Sequence, residues 1–443
     1  MNEILIKVLQ LILSLSILVI FHELGHFIPA KLFKTKVDKF YLFFDPWFSL
    51  FKIKRGETEY GIGWIPLGGY VKIAGMIDES MDKEQMKKPP QPWEFRSKPV
   101  WQRLIIMLGG VTVNVLLAIA IYIAILFTWG EQYLPTSNVK YGITCDSLAM
   151  EMGLRNGDKI ISLDNKKVDK FRNIPIEILL NDIKTIQVNR NEKVKEIQVP
   201  DGFVSKIIKN KSSDFISLRI PVEVGGFAKN SPAKNAGMLI NDKIIGINDV
   251  ETAYFDEFRK EIVKHKNKKI AIVVIRNNND TTKVNVNVSE KGLIGIALKD
   301  PNNYFKLKKQ EYSFFEAIPK GTVKAYKAFE DYLKQLRLIF SPETEAYKSV
   351  GSFIAIGNIF PSVWNWRAFW TLTAFLSIIL AIMNLLPIPA LDGGHVVFLL
   401  YEIITGKKPS DKFMEYAQIT GMVIIFLLLI LATSNDISNY ILK

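Results

Sequence analysis

Four stretches of this chain, residues 4–33, 104–129, 369–387 and 414–433, are long and apolar enough to cross a lipid bilayer. A hydrocarbon core about 30 Å thick is spanned by about twenty residues in helical form. Within it no water satisfies the backbone, so an isolated apolar run of this length is constrained to be a helix. Composition agrees: 49% of the 443 residues are hydrophobic, and mean hydropathy is positive. The long polar stretch between the second and third runs implies that soluble domains coexist with the spanning helices.

The net charge of +13 comes mostly from lysines scattered through the middle of the chain. No arginine-rich aromatic ribbon accompanies them, which argues against nucleic acid and leaves anionic lipid headgroups as their counterpart. The single cysteine, Cys145, forbids an internal disulfide, so the fold does not depend on an oxidising compartment. Lys7 precedes the first apolar run as in a signal peptide, but no small-residue cleavage site follows, and a retained transmembrane helix is expected. Basic residues crowd the connection between the first two runs, from Lys31 to Arg103 and including Lys87 and Lys88. That excess places the connection in the cytoplasm, with the amino terminus and the long middle segment outside. Lys407, Lys408 and Lys412 put the last connection inside as well.

The first run ends in His22-Glu23-Leu24-Gly25-His26. On a helix, residues four apart share a face, so both histidines can grip one metal ion while Glu23 addresses the water it activates. Catalytic zinc usually takes three protein ligands and one water, which leaves one ligand to be supplied from elsewhere. The plain alternative is a pair of packed histidines. It is disfavoured because the chain has only four, and because ionisable groups in a span cost on the order of 2.5–3.5 kcal/mol each.

Residues 40–76 read as strand rather than helix: glycines and a proline within 61–72 break any helix there, and alternation through Tyr70, Val71, Lys72 and Ile73 suits a β-element, which predicts a hydrophobic β-hairpin beside the membrane. A glycine-rich edge of this kind can pair with an extended peptide, or simply pack on the helices. Gly109, Gly110 and Asn114 open the second apolar run, and helix packing is their default reading. Farther on, Gly153-Leu154-Arg155-Asn156-Gly157-Asp158-Lys159-Ile160-Ile161 is echoed by Gly237-Met238-Leu239-Ile240-Asn241-Asp242-Lys243-Ile244-Ile245. A repeat at a spacing of roughly eighty residues suits two copies of a small domain. Each copy resembles the turn and strand of a PDZ domain, with Asn241 predicting a somewhat different second turn. Residues 314–339 carry apolar positions at helical spacing with lysines between, which predicts an amphipathic helix on the outer membrane face or packed against the repeats. Trp364 and Trp366 mark an interface before the third span.

That span ends in Asn384-Leu385-Leu386-Pro387-Ile388-Pro389-Ala390-Leu391-Asp392-Gly393-Gly394-His395. Topology brings it to the cytoplasmic side, where His22 and His26 lie, and makes Asp392 the candidate third ligand. His395 would close the site as a fourth ligand and is read as a packing residue. His265, between two lysines, is read as solvated surface.

In this order the metal motif, the Pro-Leu-Gly-Gly-Tyr-Val-Lys loop, the tandem repeat and the Asp392 segment resemble the site-2 protease family of intramembrane zinc metalloproteases. The resemblance covers nearly the whole chain. It implies zinc held by His22, His26 and Asp392, with Glu23 as general base and acid. It implies that Asn384 and Pro387 position an unwound substrate helix, that the loop Gly68-Gly69-Tyr70 pairs with it, and that the PDZ pair filters substrates by size. It also implies a multi-pass protein of the bacterial inner membrane, with periplasmic PDZ-like domains and membrane-spanning substrates such as a single-pass anti-sigma factor or remnant signal peptides. Departures from the family pattern are Asp45, where glycine is frequent, and Val111, where proline is.

The expected architecture is thus a polytopic α-helical membrane protein with four transmembrane helices, a membrane-associated β-hairpin and two inserted PDZ-like α/β domains. Its segments are 1–35 with the metal motif, a β-loop region 36–102, a second span 103–130, PDZ-like domains 131–222 and 223–301, an amphipathic segment 302–365, a third span 366–395 and a last loop and span 396–443. The rival reading is a PDZ-bearing scaffold with a structural or vestigial zinc site.

Overall fold

Apolar runs of this length leave the backbone no partner but itself, and each becomes a helix. In the computed structural model, which describes residues 2–76, 89–212, 214–277 and 280–442, four helices are long and apolar enough to cross a membrane. Lys87 and Lys88 lie outside the described residues. The chain divides into two compact units, one of residues 1–130, 311–340 and 346–443, the other of 131–310 and 341–345.

In the first unit, helix α1 (Glu3–Leu32) starts where the Asn2 side chain accepts the Ile4 N–H at 3.1 Å, satisfying one of its open donors. The chain then forms strands β1 (Val37–Phe44), β2 (Phe51–Arg55), β3 (Thr58–Ile62) and β4 (Ile65–Ile73). Here the single hairpin expected from the sequence gives way to a four-stranded sheet in the order β2-β3-β1-β4, with β1 parallel to β3 and antiparallel to β4. β2 and β3 pair antiparallel and turn at Gly56 with a left-handed φ of 62°, while the stretch 61–72 that suggested a hairpin is divided between the end of β3 and β4, which pairs with β1 instead. β4 is an edge strand and packs along α1.

Helix α2 (Val100–Trp129) follows Pro99 and stops at Gly130, whose φ of 63° turns the chain out. Helix α3 (Phe314–Ile339) opens on a capping box between Ser313 and Glu316. Its small residues Ala317, Gly321 and Ala325 are buried, and it packs on α2 and on α4 (Trp366–Leu385). A Cβ on Gly321 would lie 2.6 Å from the Ile123 side chain, so the contact is close. Pro387 and Pro389 end α4, and a separate helix α5 (Asp392–Thr405) begins at once. Helix α6 (Asp411–Asp436) completes the unit. Its last residue, Asp436, is buried and accepts the Ser352 N–H and hydroxyl at 2.9 and 2.6 Å, capping the short helix Phe353–Ile359.

The second unit is built twice over. Lys159–Leu163 and Lys243–Ile247 are strands with the same inward pattern, and each follows a buried aspartate. Asp158 accepts the Arg155 N–H at 2.9 Å and both Arg190 donors at 2.7 Å. Asp242 accepts the Leu239 N–H at 2.8 Å and Arg276 donors at 2.9 and 2.7 Å. Each arginine also donates to the carbonyl of a left-handed glycine, Gly153 or Gly237. The second turn does not differ as the sequence suggested: Asn241 adopts φ 71°, close to the 90° of Gly157, because asparagine tolerates the left-handed region. Between the halves, Arg219 reaches Asp256 at 3.0 Å and lies 3.9 Å over the Tyr254 ring. His265, expected as free surface, is half-buried and paired with Glu261 at 3.2 Å.

Burial raises the Asp242 carboxyl, but the Arg276 guanidinium and the Leu239 amide outweigh it and hold it below the ordinary carboxylate range. Its contribution to stability is therefore present at neutral pH and is lost as pH falls through that depressed value. Asp242→Ala should weaken this half by about 3 kcal/mol, since it strands a partly buried guanidinium. Hydrogen exchange of strand Lys243–Ile247 in the full-length protein measures this, and unchanged protection would contradict it.

Candidate metal centre

The cluster forms where α1 and α2 cross. A Cβ on Gly109 would sit 1.9 Å from the Gly25 carbonyl oxygen, and one on Gly25 would sit 2.4 Å from that of Gly109. Only glycine permits so close an approach of two backbones. One residue farther, a Cβ on Gly110 would lie 2.3 Å from His26 Nε2 and 2.6 Å from His22 Cε1. The bare surface of α2 at Gly110 is thus what the two imidazoles lie against.

Both rings are buried, at 8% and 7% exposure, and both turn Nε2 toward Asp392 at the first residue of α5. The three atoms are mutually equidistant: His22 Nε2 to His26 Nε2 is 3.3 Å, and each lies 3.3 Å from Asp392 Oδ2. A tetrahedral zinc with bonds of about 2.0–2.1 Å spaces its ligands about 3.3–3.4 Å apart. Asp392 Oδ2 is buried and meets no donor in hydrogen-bond geometry. A buried carboxylate oxygen facing two ring nitrogens without a proper bond is a donor set suited to a cation, and the residues present fit zinc. Among the described residues this is the one such cluster of three or more His, Cys, Asp or Glu side chains.

Neighbouring groups orient the side chains of this cluster. The Ile106 carbonyl lies 2.8 Å from His26 Nδ1, and the Asn114 amide lies 3.0 Å from His22 Nδ1. Asn384, at the end of α4, brings its amide to 3.1 Å from His22 Nε2. Glu23 is half-buried beside the cluster, and the Val71 backbone amide of β4 interacts with its carboxylate. α5 is tied to α2 at its far end by an ion pair, with buried Arg103 donating to both oxygens of half-buried Glu402 at 3.1 and 2.6 Å.

The remaining expected site residues fall in two groups. Gly69 lies against α1, where a Cβ would meet Val19 at 2.6 Å, and Gly68 lies beside the Phe44 ring. Tyr70 is on the same strand, but its side chain is engaged elsewhere: its hydroxyl donates to Asp45 Oδ1 at 2.8 Å and its ring stacks on Tyr41. Burial and the adjoining Asp45 carboxylate push that phenol well above its ordinary value. Pro387 is exposed in the break between α4 and α5. His395 stands outside the cluster and lines a small cavity with Arg96, Arg103 and Glu402. Sequence reasoning passed over the Ile106 carbonyl, which no side-chain pattern reveals, and gave Asn114 only a packing role.

A membrane protein with a His-Glu-x-x-His helix and a converging aspartate has the makings of a metal-dependent hydrolase. The model of peptidase family M50 matches residues 10–428, and the chain belongs to that family, the site-2 proteases. It is similar to a protein of Rickettsia conorii named as a zinc metalloprotease, 29% identical over 98% of this chain and 99% of that protein. A protein of Vibrio cholerae named in the same way is 27% identical over 99% of this chain and 100% of its own length. The regulator of sigma E protease of Haemophilus influenzae is 27% identical over 96% of this chain and 97% of its own length. The chain is therefore a zinc metalloprotease and not a scaffold, and its apolar helices make it a multi-pass membrane protein.

The contact between Gly25 and Gly109 is expected to be indispensable. Gly109→Ala should force α1 and α2 apart and lower zinc affinity at least tenfold, while Leu116→Ala, on the exposed face of α2, should leave it unchanged. Metal analysis of the purified proteins after dialysis against a competing chelator checks both.

Proposed function

We propose that His22, His26 and Asp392 hold the catalytic zinc and that Glu23 serves as general base and acid in cleaving membrane-spanning segments. The mutual spacing of 3.3 Å among the three ligand atoms, beside a glutamate and at the end of an apolar helix, carries the reading. Zinc bound there lowers the pKa of its water toward about 7 and polarises the scissile carbonyl. Glu23 takes the proton of the attacking water and delivers it to the leaving amine. Asp392 and the two imidazoles stay fixed, because Ile106, Asn114 and the helix crossing restrain them.

Peptide bonds inside a helix are shielded by their own hydrogen bonds, so the substrate is held extended. The outer edge of β4, from Gly68 through Tyr70 to Val71, takes it as an added strand. Tyr70 contributes backbone only, its ring being held by Asp45. Asn384 and Pro387, at the broken end of α4, hold the unwound segment on its other side. Exposed Trp47, Phe48 and Trp64, with alternating Phe51, Lys52, Ile53 and Lys54 on β2, support a sheet resting in the membrane interface.

The basic first connection favours a cytoplasmic site, with the second unit on the outer face of a bacterial inner membrane. Its two halves are PDZ-like domains that divide near residue 222 and screen substrates by size. The name of the Haemophilus influenzae relative favours a single-pass anti-sigma factor as substrate, with remnant signal peptides as a second class.

Purified Glu23→Gln should keep its zinc and lose cleavage of a single-pass membrane substrate by about 10²–10⁴-fold. Asp392→Ala should lose both zinc and cleavage, and removal of zinc from the wild type by chelation should be reversible on adding it back. Wild-type cleavage rates in Glu23→Gln would overturn the reading.

A further inference from the structure

An imidazole can offer its Nε2 lone pair to a metal only when its proton sits on Nδ1, and that proton needs an acceptor. His26 has one in the Ile106 carbonyl at 2.8 Å. His22 Nδ1 faces the side-chain amide of Asn114 at 3.0 Å, and that amide has a donor end and an acceptor end of nearly equal size. With the nitrogen toward the ring, the His22 proton is driven to Nε2, where it would point into the cluster. In that orientation the Asn114 carbonyl oxygen is buried without a hydrogen-bond partner, in a residue of 0% exposure. Turning the amide gives that oxygen the His22 Nδ1–H as its donor and frees Nε2.

The structure assigns Asn114 as a positioning residue: its side-chain oxygen accepts the Nδ1–H of His22 and so fixes the ring and tautomer that present Nε2 to zinc. This rests on His22 being a zinc ligand, as proposed above. Two features hold the amide in place. Its own backbone carbonyl accepts the Ser377 hydroxyl of α4 at 2.7 Å, and the residue is wholly buried. One turn earlier on the same face of α2, Gly110 leaves room for both rings. Gly110 and Asn114 together therefore form a cradle, the first by lacking a side chain and the second by supplying an acceptor. A purely packing asparagine would need neither the ring contact nor a particular end of its amide turned to it.

Two measurements on the full-length protein in detergent separate positioning from packing. The chain has only four histidines, so ¹⁵N-histidine spectra are tractable, with His22→Gln to identify the ring. In the zinc-loaded wild type, His22 is expected to show a protonated, hydrogen-bonded Nδ1 and a metal-shifted Nε2. Binding through Nδ1, or an unprotonated Nδ1, overturns the proposal. In the second measurement, zinc affinity is read by competition with a chromophoric chelator. Asn114→Leu, similar in volume but without an acceptor, should bind 10–100-fold more weakly, while Asn114→Asp, which keeps an acceptor, should stay within a few fold of wild type. Equal loss in both variants, or no loss in Asn114→Leu, overturns it. If Asn114→Leu fails to fold, the ring-nitrogen measurement on the unaltered chain decides alone. Zinc that shifts neither His22 nor His26 overturns the ligand assignment itself, and this proposal with it.

Discussion

The touching backbones of α1 and α2 at Gly25 and Gly109 are the contact on which the His22–His26–Asp392 cluster depends. Lipid tails are as apolar as leucine, so burial does not drive two helices together in a bilayer; close packing and hydrogen bonds must. At this crossing the Cβ of any larger residue on Gly109 would penetrate the Gly25 carbonyl. Because the backbones meet, the His22 and His26 rings reach past the surface of α2 to Asn114 and to the Ile106 carbonyl. Helices an ångström or two farther apart would leave both rings without those partners and the three clustered atoms splayed.

Polar side chains at membrane depth extend the same arrangement to α4. Ser14 of α1 meets the Thr373 hydroxyl at 3.0 Å, Ser377 binds the Asn114 carbonyl, and Gln10 donates to the Pro361 carbonyl at 2.8 Å. With no water to compete, such bonds fix rotation about each helix axis as well as separation. Asp392 arrives by a sharper device. Two prolines stop α4, and the chain doubles so tightly that a Cβ on Gly393 would lie 2.3 Å from the Leu386 carbonyl oxygen, and one on Gly394 2.3 Å from Pro389 Cα. Asp392 enters the cluster as the first residue of a new helix, whose far end is anchored by the Arg103–Glu402 pair.

Stability in the second unit has another origin. It holds none of the four long apolar helices, and each half rests on an apolar core and on one buried aspartate that organises a turn, a glycine carbonyl and an arginine from a later strand. The survival of that network in both halves, despite asparagine in place of glycine at residue 241, shows that the turn needs a left-handed residue more than it needs glycine itself.

Local chemistry alone determined the four long apolar helices, the shared helix face of His22 and His26, the break at Pro387 and the duplicated turn, because hydrophobic length, helical spacing and turn residues act within a few positions of one another. Asp392 was legible too, from an ionisable residue in broken backbone at the end of an apolar run. Tertiary structure decided the rest. A parallel pairing of β1 with β3 depends on which strand inserts between which, and alternation within each strand is the same for a plain hairpin. Tyr70 reads as part of a substrate edge, yet Asp45, 25 residues away in sequence, claims its hydroxyl. Asn114 looks like any polar residue in a membrane helix until a glycine-to-glycine crossing sets it 3.0 Å from a histidine 92 positions earlier. Periodicity tells which face of a helix is apolar; only the packing of one helix on another tells which atom that face meets.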